Sequence, residues 1–411
     1  MKHRIVVLGA GYAGAYVAGV LARRLSPTDA EITVVNAAAD FVQRLRLHQV
    51  AAGQDIDAPQ LAEVFAGTQV RLRVARVVAV DPERRVVVTV ADAASGGELA
   101  YDTLVYALGS RGDDRGVPGA AEHAFDIAGR PSALLLRECL HRLAGQGGPG
   151  EGRDVVVVGD GLTGIKTATE IAESRPGLSV TLVARGQMGA RLSEGARAHL
   201  RRACDRLGVT VREHAVIERV EAARVLCGDG RVLASNATVW TAGFTVDPLA
   251  AVGGWDVTDH GRIVVDRTMR SVSHPNVYAV GDSAYVLGDN GLALPMSCAS
   301  AGYTGRQAVA AITGELTGHT VTTTKLGYVG NHISLGRRDG ILQTVDGAGR
   351  ARPNGVGGRK AARIKAGIVR MSLWGTSHPT FGLPQRKHRL AAVPRGASVP
   401  KPGTTLGGVG G

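Results

Sequence analysis

The sequence predicts an α/β protein in which two Rossmann-like units are joined in one chain, and three observations carry that expectation. Gly9, Gly11 and Gly14 form a G-x-G-x-x-G pattern directly after the apolar residues Ile5, Val6, Val7 and Leu8. The same pattern returns about 150 residues later in Gly159, Gly161 and Gly164, behind Val155, Val156, Val157 and Val158. A late strand-like run at 275–280 then ends in Gly281 and Asp282. One such glycine pattern is a common turn. Two, each between a strand-like and a helix-like stretch, imply two dinucleotide sites.

Taken in order, residues 4–8 read as a strand and about 13–24 as a helix, with Val17, Val20, Leu21 and Leu25 on one face. A second strand at 31–36 ends in Asn36, where this fold usually places a ribose-binding acid and where an amide can still hydrogen-bond a hydroxyl. Residues 70–80, 85–90 and 103–108 alternate with period two and read as a meander ending near Gly109. The turn-rich stretch 145–153 reads as a linker. The second unit repeats the plan: strand 154–158, helix 162–174 and strand 179–183. A helix at 194–207, a strand at 209–211 and a meander over 214–240 follow. Residues 297–313 read as helical, and 333–343 as a hairpin turning at Asp339-Gly340. The expected division is a discontinuous first unit at 1–110 and 244–325, an inserted second unit at 111–243, a C-terminal region at 326–393 and a flexible tail at 394–411.

At 411 residues, with 44% apolar and 20% charged content, the chain has the composition of a globular protein of two or three domains. Its net charge of +12 is localised. From position 331 onward 14 Lys and Arg stand against 2 Asp and Glu, whereas the first 330 residues hold 34 of each. A basic segment of this kind suits an anionic surface such as membrane lipid, or is simply solvated. No recognition motif accompanies it, so nucleic acid is not expected as a partner. The four cysteines, Cys139, Cys204, Cys227 and Cys298, have no C-x-x-C or C-x4-C spacing, which argues against a redox disulfide and against a metal site. Their scatter fits a reducing, cytoplasmic setting. A strand by residue 4 leaves no room for a signal peptide, and no apolar run reaches 18 residues.

Together the first glycine pattern, the Tyr106-Ala107-Leu108-Gly109-Ser110 strand end, the second glycine pattern and the late Gly281-Asp282 resemble the flavoproteins with two dinucleotide-binding domains, the pyridine nucleotide–disulfide oxidoreductase superfamily. The resemblance spans residues 4 to about 310. The missing cysteine pair excludes the disulfide-reductase branch. Within the superfamily the chain most resembles type II NADH dehydrogenase-like proteins, which pass electrons from NAD(P)H through FAD to a quinone. Residues 40–49 and 334–340 are similar to segments of an actinobacterial-looking branch of that group.

The resemblance implies FAD at the first pattern, on Gly9, Gly11, Tyr12, Ala13 and Gly14, with Asn36 at the adenosine ribose and Arg44 and Gly109 beside the cofactor. Asp282, after Gly281, would accept a hydrogen bond from the ribityl chain. A helix starting near Ser297 and Cys298 would aim its N-terminus at the flavin pyrimidine edge. Cys298, without a partner, reads as a packed residue. His48, with Gln49, falls in the segment expected near the isoalloxazine ring and is one candidate for moving a proton.

The second pattern implies NADH or NADPH on Gly159, Gly161 and Gly164, and three charged residues complicate it. A carboxylate at Asp160 beside a pyrophosphate, about 5 Å away at an effective dielectric near 20, would cost about 3 kcal/mol. Lys166 stands where the family commonly has a Glu associated with proton delivery, which makes it the second catalytic candidate. It either neutralises Asp160 or touches a phosphate, or pairs with Asp160 across the turn and fills the nucleotide's place, or both side chains point to water. Arg185, after the second strand, suits a 2′-phosphate, so NADPH stands beside NADH.

In the basic segment, Ala361, Ile364, Ile368 and Met371 recur at helical spacing while Arg363, Lys365 and Arg370 lie off that stripe. This predicts an amphipathic helix over 360–374. It docks peripherally on the inner face of a membrane, packs on the protein's own core, or meets a second subunit of a homodimer. The leading expectation is hydride transfer from NAD(P)H through FAD to a quinone or small aromatic acceptor. The runner-up is an FAD-dependent tailoring enzyme of secondary metabolism, acting on an aromatic metabolite with a degenerate nicotinamide site. A third is a flavin-binding scaffold without turnover.

Overall fold

The computed structural model describes residues 1–91, 96–145, 152–321, 325–381 and 387–391. The tail 394–411 and most of the 145–153 linker lie outside the described residues. Two five-stranded parallel sheets dominate. In the first, Val277–Ala279, Thr103–Tyr106, His3–Leu8, Ala30–Asn36 and Val70–Val74 lie side by side in that order. In the second the order is Thr210–Arg212, Ser179–Val183, Asp154–Val158, Ala237–Trp240 and Ala124–Asp126. The unbroken apolar runs explain why both are parallel and doubly covered. Ile5 through Leu8 and Val155 through Val158 are all buried, leaving no face for solvent.

The wiring places each glycine pattern at the end of the central strand of its sheet. The first sheet takes Val277–Ala279 from far along the chain, so it is completed only after the second has been laid down. The two passages between the units, Ser110–Gly112 and Phe244–Val246, pair antiparallel with each other. The helix Tyr12–Arg24 packs on the helix Cys298–Thr317 closely enough that a Cβ on Gly305 would lie 3.3 Å from Tyr16. The chain is thus mixed α/β, with Rossmann-like parallel sheets, as the sequence predicts.

Two local expectations are corrected. Residues 70–80 are not one strand. Val70–Val74 joins the parallel sheet, and Arg76–Asp81 turns away to open an antiparallel meander with Val86–Val90 and Gly97–Ala100. The break is at Ala75, which is buried and donates its N–H to the Asn36 carbonyl. Period-two alternation continues through such a bend because it reports a pleat, not a partner. The hairpin turns earlier than Asp339-Gly340. Leu335 N–H donates to the Asp339 carbonyl, Gly336 has φ of +72°, and Gly340 already pairs with Ser334. Asp339 is otherwise engaged: its carboxylate takes His199 at 2.8 Å and Arg206, both on the helix Glu194–Leu207.

That hairpin belongs to a three-stranded antiparallel sheet, Gly330–Ser334, Gly340–Val345 and Ala351–Gly357, which leads into the helix Gly358–Ser377. The helix bridges the two units. Its start is seated on the small sheet through fully buried Ala361, and at its end Arg23 of the first unit donates to the Ser377 carbonyl at 3.0 Å. No helix among the described residues is long and apolar enough to cross a membrane.

Candidate active site

Both glycine turns are made the same way. Gly9 has φ of +92° and Gly159 of +106°, in the region that favours residues without a Cβ. A Cβ on Gly14 would sit 1.9 Å from the Gly9 carbonyl oxygen, and one on Gly164 would sit 1.7 Å from that of Gly159. The middle glycines differ in purpose: a Cβ on Gly11 or Gly161 would meet nothing within 4 Å, because both face open space. Each is the N-cap of the helix that follows, Tyr12–Arg24 or Leu162–Ser174, and neither helix has a side-chain cap or an acid in its first turn. Uncapped N–H groups and the positive end of a helix dipole therefore point at the same opening, which suits a pyrophosphate.

The two turns open onto one cavity of about 1160 Å³ between the units. Gly9, Gly11, Tyr12, Ala13, Asn36, Arg44, His48 and Gly109 line it from the first unit, and Gly159, Asp160, Gly161, Lys166 and Arg185 from the second. Gly281, Asp282, Ser297 and Cys298 close it from the returning chain. Gly14 and Gly164 stand behind the walls, where their role is steric. Asn36 braces the first turn, accepting from Ala10 N–H at 2.9 Å and donating to the Ala38 carbonyl at 2.7 Å. Arg44 donates to Ser110 Oγ at 2.9 Å, and Ser110 in turn donates to Asp282 at 2.6 Å, so this acid is held in place through a hydroxyl. Gly281 N–H donates to Thr304 at 2.9 Å. Ser297 caps the long helix Cys298–Thr317 through Ser300 N–H, which leaves that helix's positive end facing the cavity. Burial pushes the Cys298 thiol up to about 12, which disfavours the nucleophilic thiolate. The buried Tyr12 hydroxyl has no hydrogen-bond partner among the described residues. These residues fit FAD: an open glycine cradle, a braced ribose end and a helix N-terminus at the far end.

The second half of the cavity carries the charge. Asp160 and Lys166 both line it and no ion pair joins them, so the pair does not fill the nucleotide's place. Burial lowers the Lys166 ammonium to about 8. His48 is buried, its Nε2 has no partner among the described residues, and its pKa is driven well below the ordinary value by burial and by Lys166, Lys365 and Arg46. It is a neutral imidazole at pH 7. Arg185 is exposed at the mouth, with Arg191 also on the wall.

Lys365, Arg191 and Ser110 are members of this site that motif reading does not find, and Glu170 is buried behind its wall. Lys365 also corrects the amphipathic stripe. Of that stripe Ala361 alone is buried. Ile364, Ile368 and Met371 are 41%, 40% and 62% exposed, while the Lys365 Nζ is the buried atom. Helical spacing decides which residues share a face, not which face is covered. The available signal was the neighbouring stripe Ala361, Lys365, Val369 and Ser372, whose last three members line the cavity. Glu170 lies one turn beyond Lys166 and is fully buried. Burial and then Glu173 raise its carboxyl to about 7.

The sequence from residue 3 to 310 matches the family described as pyridine nucleotide-disulphide oxidoreductase. The chain belongs to that family. An NADH dehydrogenase-like protein of Mycobacterium tuberculosis is 31% identical over 316 residues, covering 72% of this chain and 76% of its own. The type II NADH:quinone oxidoreductase of Staphylococcus epidermidis is 27% identical over 389 residues, 89% of this chain and 93% of its own. Among solved structures, the Plasmodium falciparum NDH2 in complex with NADH superposes with a TM-score of 0.77 at 13% identity, over 94% of this chain and all of that one. The sulfide:quinone oxidoreductase of Aquifex aeolicus gives 0.75 at 16% identity, over 92% of each chain. The chain is an oxidoreductase of the NADH dehydrogenase-like group, with FAD and a pyridine nucleotide as its cofactors. Among its described residues no group of three or more His, Cys, Asp or Glu could hold a metal ion.

Two outcomes follow from this geometry. Gly14→Ala, which drives a methyl into the Gly9 carbonyl, lowers the flavin content of the purified protein by at least about tenfold, measured as flavin absorbance per chain; Gly164→Ala spares flavin but weakens nicotinamide binding by a similar factor. Glu170→Gln is more stable than the wild type above pH 7, by about 1–3 kcal/mol in denaturant unfolding. Because the folded-state pKa is raised, the penalty is complete above about 7 and vanishes below the ordinary value of 4.5, where the two unfolding curves converge.

Proposed function

We propose that the chain carries hydride equivalents from NAD(P)H, through FAD, to a quinone or another small aromatic acceptor. The observation that carries this reading is the pair of uncapped helix N-termini, each behind a glycine turn, opening onto one cavity. FAD supplies the redox chemistry, accepting hydride and delivering electrons onward. The chain's own residues bind and orient. Gly9, Gly11 and the Tyr12–Arg24 helix hold one pyrophosphate, and Asn36, Arg44 and Asp282 fix the length of the dinucleotide beyond it. The Cys298–Thr317 helix offers its positive end to negative charge on the ring system. Gly159, Gly161 and the Leu162–Ser174 helix hold the second pyrophosphate.

Arg185 and Arg191, at the mouth after the strand Ser179–Val183, favour the 2′-phosphate of NADPH, and no acid stands at position 185 to prefer NADH. A second reading, a tailoring flavoenzyme with a degenerate nicotinamide site, draws its support from Asp160, whose carboxylate lines the cavity without Lys166 pairing it. Stopped-flow mixing with NADPH and NADH in parallel decides between them. Flavin bleaching at sub-millimolar nucleotide is expected, with Arg185→Ala weakening NADPH by about tenfold and NADH little. No bleaching with either would leave the tailoring reading standing.

The helix Gly358–Ser377 supports peripheral attachment to the inner face of a membrane. Ile364, Ile368, Met371 and Trp374 are exposed along it, Phe381 follows at 75% exposure, and the exposed Arg363 and Arg370 flank that face. Trp374 stacks on His378 at 4.4 Å and meets Phe381 edge-on at 4.8 Å, an aromatic cluster suited to an interface. The protein is expected to float with vesicles containing anionic lipid. Met371→Asp with Phe381→Asp should remove it from them without changing bleaching by NAD(P)H.

A further inference from the structure

We propose that the inner end of the cavity binds an anionic aromatic ligand, a flat ring carrying a carboxylate or a similar acid, between Lys166 and Lys365. This deepens the reading of the cavity as an acceptor site and rests on it. Three separate elements bring positive or donor groups together there: Lys166 from the first turns of the helix Leu162–Ser174, Lys365 from the helix Gly358–Ser377, and His48 from the short helix Leu47–Ala51. The Lys365 Nζ is buried without a hydrogen-bond partner among the described residues, and so is His48 Nε2. The two lysines are close enough for Lys166 to disfavour the charge on Lys365.

Burial disfavours the charge on both lysines, and an anion bound between them would restore it. The protein supplies that anion only in part. Glu170 is the acid on that side of Lys365: Gln54 donates to one of its oxygens and Arg337 lies 3.8 Å from the same oxygen, the other oxygen has no hydrogen-bond partner among the described residues, and burial with Glu173 raises the carboxyl to about 7, which weakens the charge it offers. Met296, Tyr328 and Val369 line the same cavity and suit a flat ring, and His332 lies on the Lys365 side of it. A nucleotide phosphate is the other candidate anion. The glycine turns and, at the mouth, Arg185 and Arg191 offer it donors, whereas Lys166 lies on the side of Cys298, at the start of the long helix.

Calorimetric titration of the FAD-loaded protein with 2-naphthoate and with its neutral isostere 2-naphthamide tests this. The carboxylate is expected to bind at least about tenfold more tightly than the amide. Lys365→Met and Lys166→Met should each remove most of that preference, and Lys365→Arg should keep it. Equal affinity of the two compounds for the wild type overturns the proposal, and this holds even if a variant fails to fold. A preference that survives both methionine variants overturns it too. So does a Lys365→Met protein that loses NADPH affinity but not naphthoate affinity, since the lysine would then serve the nucleotide. Bleaching by NAD(P)H on the same preparations separates the two readings. Bleaching without an anion preference overturns only this inference, and an anion preference without bleaching overturns only the hydride-transfer reading.

Discussion

The space left by two missing side-chain atoms governs this molecule. In each unit the carbonyl oxygen of the first motif glycine occupies the place where the third would carry a Cβ, at 1.9 Å for Gly14 and 1.7 Å for Gly164. Only that overlap lets a helix begin directly on top of the strand it follows, and only such a helix delivers bare N–H groups to the strand's end. The turn is also where sheet and cavity meet: a Cβ on Gly9 would lie 2.4 Å from the Ala107 carbonyl at the end of the neighbouring strand. One steric condition therefore sets the strand spacing, the helix angle and the anion cradle together, and the chain meets it twice.

The C-terminal region depends on that frame and completes it. Its small sheet is tied to the second unit by Asp339 with His199 and Arg206, by Arg337 with Glu173, and by Ser193 donating to Gln343 at 2.7 Å. These polar contacts are partly exposed and individually modest. Burial of Ile333, Leu335 and Ile341 in the core of the second unit fixes the docking. Once docked there, the helix Gly358–Ser377 has no choice of face. Ala361 is small enough to sit on the sheet, Lys365 is carried into the cavity one turn later, and the bulky residues Ile364, Ile368 and Met371 turn outward.

The fold was legible in the sequence because each unit repeats a strongly local rule. An apolar run, a glycine turn and a helix are specified within about 20 residues, and the parallel order follows from fully buried strands such as Asp154–Val158. What escaped was tertiary. The bend at Ala75 depends on a hydrogen bond from a strand 39 residues earlier in the chain, at Asn36. The early hairpin turn depends on a helix that holds Asp339 from position 199. In the site, the residues that belong to motifs were readable, and those that reach it from elsewhere were not. Ser110 was visible as the end of a strand but not as the link between Arg44 and Asp282, and Lys365 looked like one cation among many on a basic helix.

The charges explain why the two cradles, alike in backbone, are unlike in chemistry. At the first, Arg44 and Asp282 are connected through Ser110, so that the acid is held by a neutral hydroxyl and a cation lies just behind it. At the second, Asp160 would work against a pyrophosphate about 5 Å away by about 3 kcal/mol at an effective dielectric near 20, while Lys166, near a helix N-terminus, opposes the dipole by roughly 0.3–1 kcal/mol. Neither placement serves the isolated turn. They are placed in one cavity whose wall also carries Arg185 and Arg191, and where burial and Lys166 disfavour the charge on Lys365. The helix Gly358–Ser377 thus does more than close the cavity. It brings into the cavity a buried amine whose charge an anionic ligand would favour and a neutral one would not.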